Sequence, residues 1–428
     1  MKQLICACMI STGLFFMIPA LQGCNGRSMF GKKNPREAYL QALEQSELSG
    51  TAMGRQWIAA GDRALTTPVT IDLPFRMTGF FPVDQPLAVC FRLNANRGQK
   101  ITVSLRHRPV SARLFTELLT GGSETEPGIL GTIDSSGNLE YEADDDGSVY
   151  LRLQPELLQA VSYELEITAG PSLAFPVSGG RASDIGSVWG DPRDAGRRRH
   201  EGIDIFGKRG TPLVAAADGI VTRVGEGGLG GKVVWMRAKG RNLSLYYAHL
   251  DEQLVRTGES VEKGDTLGLM GNTGNARTTP VHLHFGIYTG GGAVDPLPFV
   301  KPSNTKPAPV TADTGRLGQA ARIARAGGKK QGSSFPANSY TRIIGATGAT
   351  YLTVSPDGST SLHPSGYIAA LSPLRQTTPG RPLKLYALPD TGTAVITRTA
   401  INSVTLLAKW EEFSLVQAGG IRGWTVLP

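Results

Sequence analysis

Cysteine is scarce in this chain. The 428 residues carry four, Cys6, Cys8, Cys24 and Cys90. A single one lies beyond residue 24, so no disulfide joins residues 25–428, and stability must come from packed cores or a bound metal. Histidine is nearly as rare, at six residues. No motif resembles a nucleic-acid-binding signature, although the net charge is +8 and the pI near 9.3. That charge fits a carboxylate-rich partner instead, and part of it lies in a Lys-containing linker. What the chain has in quantity is glycine (54) and proline (27) against an ordinary 40% of hydrophobic residues, which points to a turn-rich β protein of two to four domains.

Four of the six histidines fall between His200 and Gly286. His200 and Asp204 would share one face of a helix, but Gly202, Ile203 and Ile205 favour a strand. On a strand, His200, Gly202 and Asp204 point one way while Ile203 and Ile205 point into a core. The run Val281 to Tyr288 alternates more cleanly, with Val281, Leu283, Phe285 and Ile287 on one face and His282, His284, Gly286 and Tyr288 on the other. Two strands thus each carry metal-competent groups over an apolar back. Two imidazoles and one carboxylate suit Zn²⁺ with an open fourth position for water, whose pKa falls to roughly 7 on the metal. His200 and Asp204 are natural ligands, with one or both of His282 and His284. The helical motif His-Glu-x-x-His is absent, because the residue four after His200 is Asp204.

Five blocks follow one another in order: Arg199-His-Glu-Gly-Ile-Asp204, Gly210-Thr-Pro-Leu-Val-Ala-Ala-Ala-Asp-Gly219, Tyr247-Ala-His249-Leu250, Gly271-Asn-Thr-Gly-Asn275 and His282-Leu-His-Phe-Gly286. Together they resemble the lysostaphin/LytM-type peptidases (family M23). The resemblance covers about Phe175 to Val300 and implies an antiparallel β domain of the duplicated-hybrid-motif type. It implies zinc held by His200, Asp204 and His284, with His249 and His282 unligated beside it. It implies peptide-bond hydrolysis in which one histidine takes a proton from water. The other stabilises the oxyanion or returns a proton to the leaving amine. Imidazole suits both tasks because its reference pKa of about 6.5 lies near working pH.

The N-terminus reads as a signal. Lys2 opens a positive region, Leu4 to Leu21 is apolar, and Leu21-Gln-Gly-Cys24 resembles the lipobox of bacterial lipoproteins. The expectation is cleavage before Cys24 and lipid attachment to its thiol, with acyl chains holding the protein to a membrane at about 0.8 kcal/mol per buried methylene. Cys90, in Pro86-Leu-Ala-Val-Cys-Phe91, is then a lone buried strand residue acting as a small apolar group.

The remaining segments follow in order. Residues 24–33 are a tether. Asn34-Pro-Arg-Glu37 opens a helical hairpin over 34–66, with Asn34 at the N-cap, Pro35 in the first turn and Trp57 packed inside. Residues 67–172 alternate as short strands and suggest an antiparallel β-sandwich. The acidic run Glu142 to Asp146 reads as a solvated turn. Residues 173–300 form the peptidase domain, with Gly190 to Arg193 as a turn and Arg197 to Arg199 as a charge cluster near the first ligand. Residues 301–338 read as a linker with a brief helix near Leu317 to Arg325. Residues 339–428 return to β, with a hairpin around Asp357-Gly358 and an SH3-like barrel from Leu383 to Trp424.

The expectation is a mainly β, exported, lipid-anchored zinc endopeptidase facing the periplasm. It would cut peptide cross-links of peptidoglycan, without nucleic-acid partners. The alternative is a non-catalytic wall-binding protein or amidase activator built on the same domain.

Overall fold

The structure is a computed structural model that describes residues 34–121, 127–303, 306–325, 336–379, 382–399 and 403–427. Cys24 and the apolar run before it lie outside the described residues. None of the described helices is long and apolar enough to cross a membrane.

The described residues open with two α-helices, Pro35–Gln45 and Ala52–Thr66. Each is capped as its sequence suggests: the Asn34 side chain accepts from the Arg36 N–H, and the Thr51 hydroxyl accepts from the Gly54 N–H. The hairpin docks on the strands Leu114–Leu119 and Gly147–Pro155 through a buried polar seam. Trp57 donates to the Pro155 carbonyl (2.7 Å), Gln154 donates to the Trp57 carbonyl (2.7 Å), and Arg152 pairs with Glu117 at 2.6 Å. Cys90 is buried in the strand Val89–Ala95, as expected.

Two sheets then face one another across one core. One has five strands; the other has nine and includes Phe75–Phe81, Val161–Pro171 and Gln99–Arg108. The second sheet does not stop at residue 172. The strand Tyr340–Thr347 pairs with Phe75–Phe81 (Thr78 opposite Ala346), and Ile344, Leu352 and Val354 belong to the same buried cluster as Phe91 and Leu151. The expected boundary at 338/339 therefore does not coincide with a sheet boundary. Alternating apolar residues mark a strand but not its partner, so the pairing of segments about 270 residues apart is invisible to local pattern. The expected helix near Leu317 to Arg325 is also replaced: the described residues hold a 3₁₀ turn at Thr314–Arg316 and a strand at Ala320–Ile323 that pairs with Tyr340–Thr347. The hairpin around Asp357-Gly358 forms, joining Thr350–Val354 to Thr360–Pro364. Residues Arg375 to Val426 build a separate six-stranded antiparallel sheet.

Between these lies a ten-stranded antiparallel sheet whose own core runs from Leu173 to Val300. Its central order is Ile203–Phe206, His282–Thr289, Ser244–Gln253 and Gly231–Ala238. Ile203, Ile205, Leu245, Tyr247, Leu283, Phe285 and Ile287 are completely buried on one face. The alternating residues of the same strands point the other way, and that second face carries the site.

Candidate metal centre

Register brings the residues together. Asp204 lies opposite His284, Phe206 opposite His282, and Ala248 opposite His284 on the other side. His200 stands three residues before its strand rather than in it. It is held by a pair of backbone bonds, Gly190 N–H to the His200 carbonyl and His200 N–H to the Asp191 carbonyl, both 2.9 Å. Gly202 leaves the room that His284 occupies. A Cβ there would sit 2.6 Å from the Phe285 carbonyl oxygen and 2.7 Å from the His284 ring.

Three ligating atoms converge. His200 Nε2 lies 2.9 Å from His284 Nδ1 and 3.1 Å from Asp204 Oδ1, and His284 Nδ1 lies 3.0 Å from Asp204 Oδ1. Tetrahedral bonds of roughly 2.0–2.1 Å require ligand atoms about 3.3 Å apart, so this triangle fits an ion with three protein bonds and one free position. The outer wiring agrees. His200 Nδ1 donates to the Val188 carbonyl at 2.9 Å, which leaves the Nε2 lone pair aimed inward.

His249 and His282 share another arrangement. Their Nδ1 atoms donate to the carbonyls of Thr273 and Pro280, each at 2.8 Å. A carbonyl only accepts, so both rings carry a proton on Nδ1, and Nε2 is the nitrogen left to gain or lose one. His282 Nε2 is 3.9 Å from Asp204 Oδ1, and the His249 and His282 ring centroids are 5.0 Å apart. Simple alternation would have sent His249 to the core face. A bulge prevents this: Lys232 to Val234 on one strand faces Tyr247 to Leu250 on the other, so one extra residue is accommodated. His249 takes φ = 66°, a left-handed conformation, and both Ala248 and His249 then line the cleft.

Burial lowers the His249 imidazole to about 4, with the neighbouring His282 charge acting in the same direction. Burial also lowers His284, against the opposing pull of Asp204. For Asp204, burial alone would raise the carboxyl, but hydrogen bonds from His200 and His284 and their charges hold it far below the usual carboxylate range.

The five residues line a cleft of about 730 Å³. Its walls include Tyr246 and Tyr288, whose rings pack at a tilt against Trp235, and Arg198 and Arg199 from the expected charge cluster. One residue escaped sequence reading. Gly190 to Arg193 reads as a turn, but Pro192–Arg193 pairs with Arg198–Arg199 as a small hairpin. From it Arg193 Nη2 reaches Asp204 Oδ2 at 2.6 Å and Ser187 Oγ at 2.7 Å. Nothing in the sequence sets this arginine apart from its neighbours at 197–199.

Comparison with known proteins fits the geometry. Residues 198–296 match the description "Peptidase family M23". An L-Ala–D-Glu endopeptidase of Bacillus subtilis (strain 168) is 35% identical over 140 residues, covering 30% of this chain and 43% of that protein. A lipoprotein NlpD/LppB homolog of Pseudomonas aeruginosa is 36% identical over 141 residues, covering 31% of this chain and 42% of that one. Both are thus matched over less than half their length. The catalytic domain of the antimicrobial peptidase lysostaphin from Staphylococcus simulans is similar at 28% identity. That match covers 28% of this chain and 93% of that structure, with a TM-score of 0.26. The segment that carries His200, Asp204, His249, His282 and His284 is a peptidase family M23 domain.

Proposed function

We propose that the protein is a zinc-dependent endopeptidase that hydrolyses peptide cross-links of peptidoglycan. The observation that carries this reading is the convergence of three ligating atoms beside two further imidazoles whose Nδ1 atoms are held by backbone carbonyls. His200 Nε2, Asp204 Oδ1 and His284 Nδ1 would hold the ion. When bound, zinc supplies a Lewis acid that polarises the scissile carbonyl and acidifies water. His249 and His282 are the two proton-handling groups: one neutral ring accepts the proton of the attacking water at Nε2, and the other, carrying a proton on Nε2 as an imidazolium, supports the tetrahedral oxyanion or donates to the leaving amine. Their Nδ1 bonds to backbone carbonyls fix ring orientation and tautomer in advance. Tyr246, Tyr288 and Leu229 wall the cleft and would exclude water from a bound peptide.

The endopeptidase activity named for the Bacillus subtilis relative supports this substrate class, and the lipoprotein name of the Pseudomonas aeruginosa relative supports an envelope location with attachment through Cys24. The test combines metal analysis of the purified protein with mass spectrometry of the fragments it releases from isolated cell wall. Stoichiometric zinc and new peptide termini are expected. Stoichiometric zinc with an intact wall would favour the non-catalytic alternative.

A further inference from the structure

The Asp204 carboxylate has two oxygens with different surroundings. Oδ1 stands at a corner of the ligand triangle, 3.1 Å from His200 Nε2 and 3.0 Å from His284 Nδ1. Oδ2 points away and is taken by Arg193 Nη2 at 2.6 Å, a short charge-assisted contact. An exposed ion pair would contribute little. Here the Asp204 side chain is 11% exposed and that of Arg193 32%, so the pair sits at the lip of the cleft. The guanidinium is further fixed. The same Nη2 donates to Ser187 Oγ at 2.7 Å, and Ser187 donates to Asp191 Oδ2 at 2.8 Å. Ser187 Oγ also lies 3.2 Å from His200 Nδ1. One short segment, 187–193, therefore controls the outer side of His200 and Asp204.

We propose that Arg193 is a positioning residue that restricts Asp204 to binding the metal through Oδ1 alone, and so keeps the fourth coordination position free for water. This rests on the peptidase reading of the site. A carboxylate with both oxygens free can rotate and chelate an ion through both. That would fill the open position and add electron density, making any bound water less acidic. Arg193 opposes both effects, because it occupies Oδ2 and draws charge from the carboxylate. The neighbouring Arg199 does not substitute for it: its guanidinium donates to the Gly190 carbonyl instead.

The test uses the full chain loaded with Co²⁺ in place of zinc, whose visible absorption is strong when four-coordinate and weaker when five-coordinate. Wild-type protein should give the strong band, Arg193→Met the weaker one, and Arg193→Lys an intermediate spectrum, because an ammonium reaches Oδ2 without the guanidinium's fork. With zinc, Arg193→Met should lose about 10- to 100-fold in kcat with KM nearly unchanged. Stoichiometric cobalt in Arg193→Met with a wild-type spectrum would overturn the proposal. So would loss of cobalt from both variants, which would give Arg193 a role in holding the site together. Wild-type protein with the four-coordinate band but no hydrolysis would sink the peptidase reading and leave this one standing, since the band is read without turnover.

Discussion

His249 shows how a single residue departs from what its neighbours dictate. Tyr247 and Leu250 are both completely buried, although they are three positions apart in one strand. The extra residue between them forces a left-handed backbone at His249, a conformation that costs a non-glycine residue about 1–2 kcal/mol. The cost is tolerated because it turns the imidazole into the cleft. His200 and Asp204 make a different demand: replacing either by Ala should remove zinc and hydrolysis together, as metal analysis of the purified variants would reveal. His249→Ala should instead keep zinc and lose on the order of 10²-fold in rate, or more. If His249→Ala arrives without zinc, the division between ligands and proton carriers is wrong. Cys90 tests burial by titration. Its thiol is pushed up to about 12, chiefly by burial. The folded state therefore keeps the proton where the unfolded chain loses it, so this group stabilises below its unfolded pKa of about 9 and the contribution fades as pH rises toward 12. Two outcomes are expected. The native protein should resist alkylation at pH 8 until denatured, and Cys90→Ala should flatten the loss of thermal stability between pH 9 and 11.

At the scale of elements, the site was legible wherever its residues obeyed a period. The His282 to Tyr288 strand alternates cleanly, and Asp204 sits on the face assigned to it. His200 proved to lie in the approach to its strand, and the Pro192 to Arg199 hairpin was hidden because two-residue strands leave no periodic signal. Arg193 was lost with it. Gly202 is the connection between these pieces, since its missing side chain lets the His200 approach pass over His284. Gly202→Ala would place a methyl 2.6 Å from a backbone oxygen that cannot yield. Overpacking of this kind costs about 1–3 kcal/mol, and here it falls on His284, one of the three proposed ligands. Zinc affinity, measured by competition with a chelator, should drop at least about 10-fold. Gly147→Ala, whose added methyl meets nothing within 4 Å, should leave it unchanged. Equal affinities in the two variants would remove close packing as the reason for glycine at 202.

The whole molecule obeys pairings that no local pattern encodes. Sequence reading found strands on both sides of the peptidase domain, but it assigned them to separate units because each side alternates on its own. In the structure, Tyr340–Thr347 continues the sheet that begins at Phe75, Arg342 pairs with Asp84 at 2.8 Å, and the hairpin at Gly358 lies against the Arg63 side chain. Three residues of the C-terminal part, Ile344, Leu352 and Val354, sit in the sandwich core, while the peptidase core draws only on Leu173 to Val300. The two halves should therefore respond differently to truncation. Ending the chain at residue 303 strips an interior strand neighbour from Phe75–Phe81 and exposes its apolar face. Each fully buried Ile, Leu or Val lost from the core removes about 1.5–3 kcal/mol of burial, and three such losses approach the whole stability of a typical domain. Limited proteolysis of the truncated protein should cut within residues 67–172 at temperatures where the full chain is resistant. The peptidase segment should survive as a protected fragment that still binds metal. Equal resistance of residues 67–172 in both proteins would mean that the sandwich closes without its C-terminal strands, and that the shared sheet contributes little to its stability.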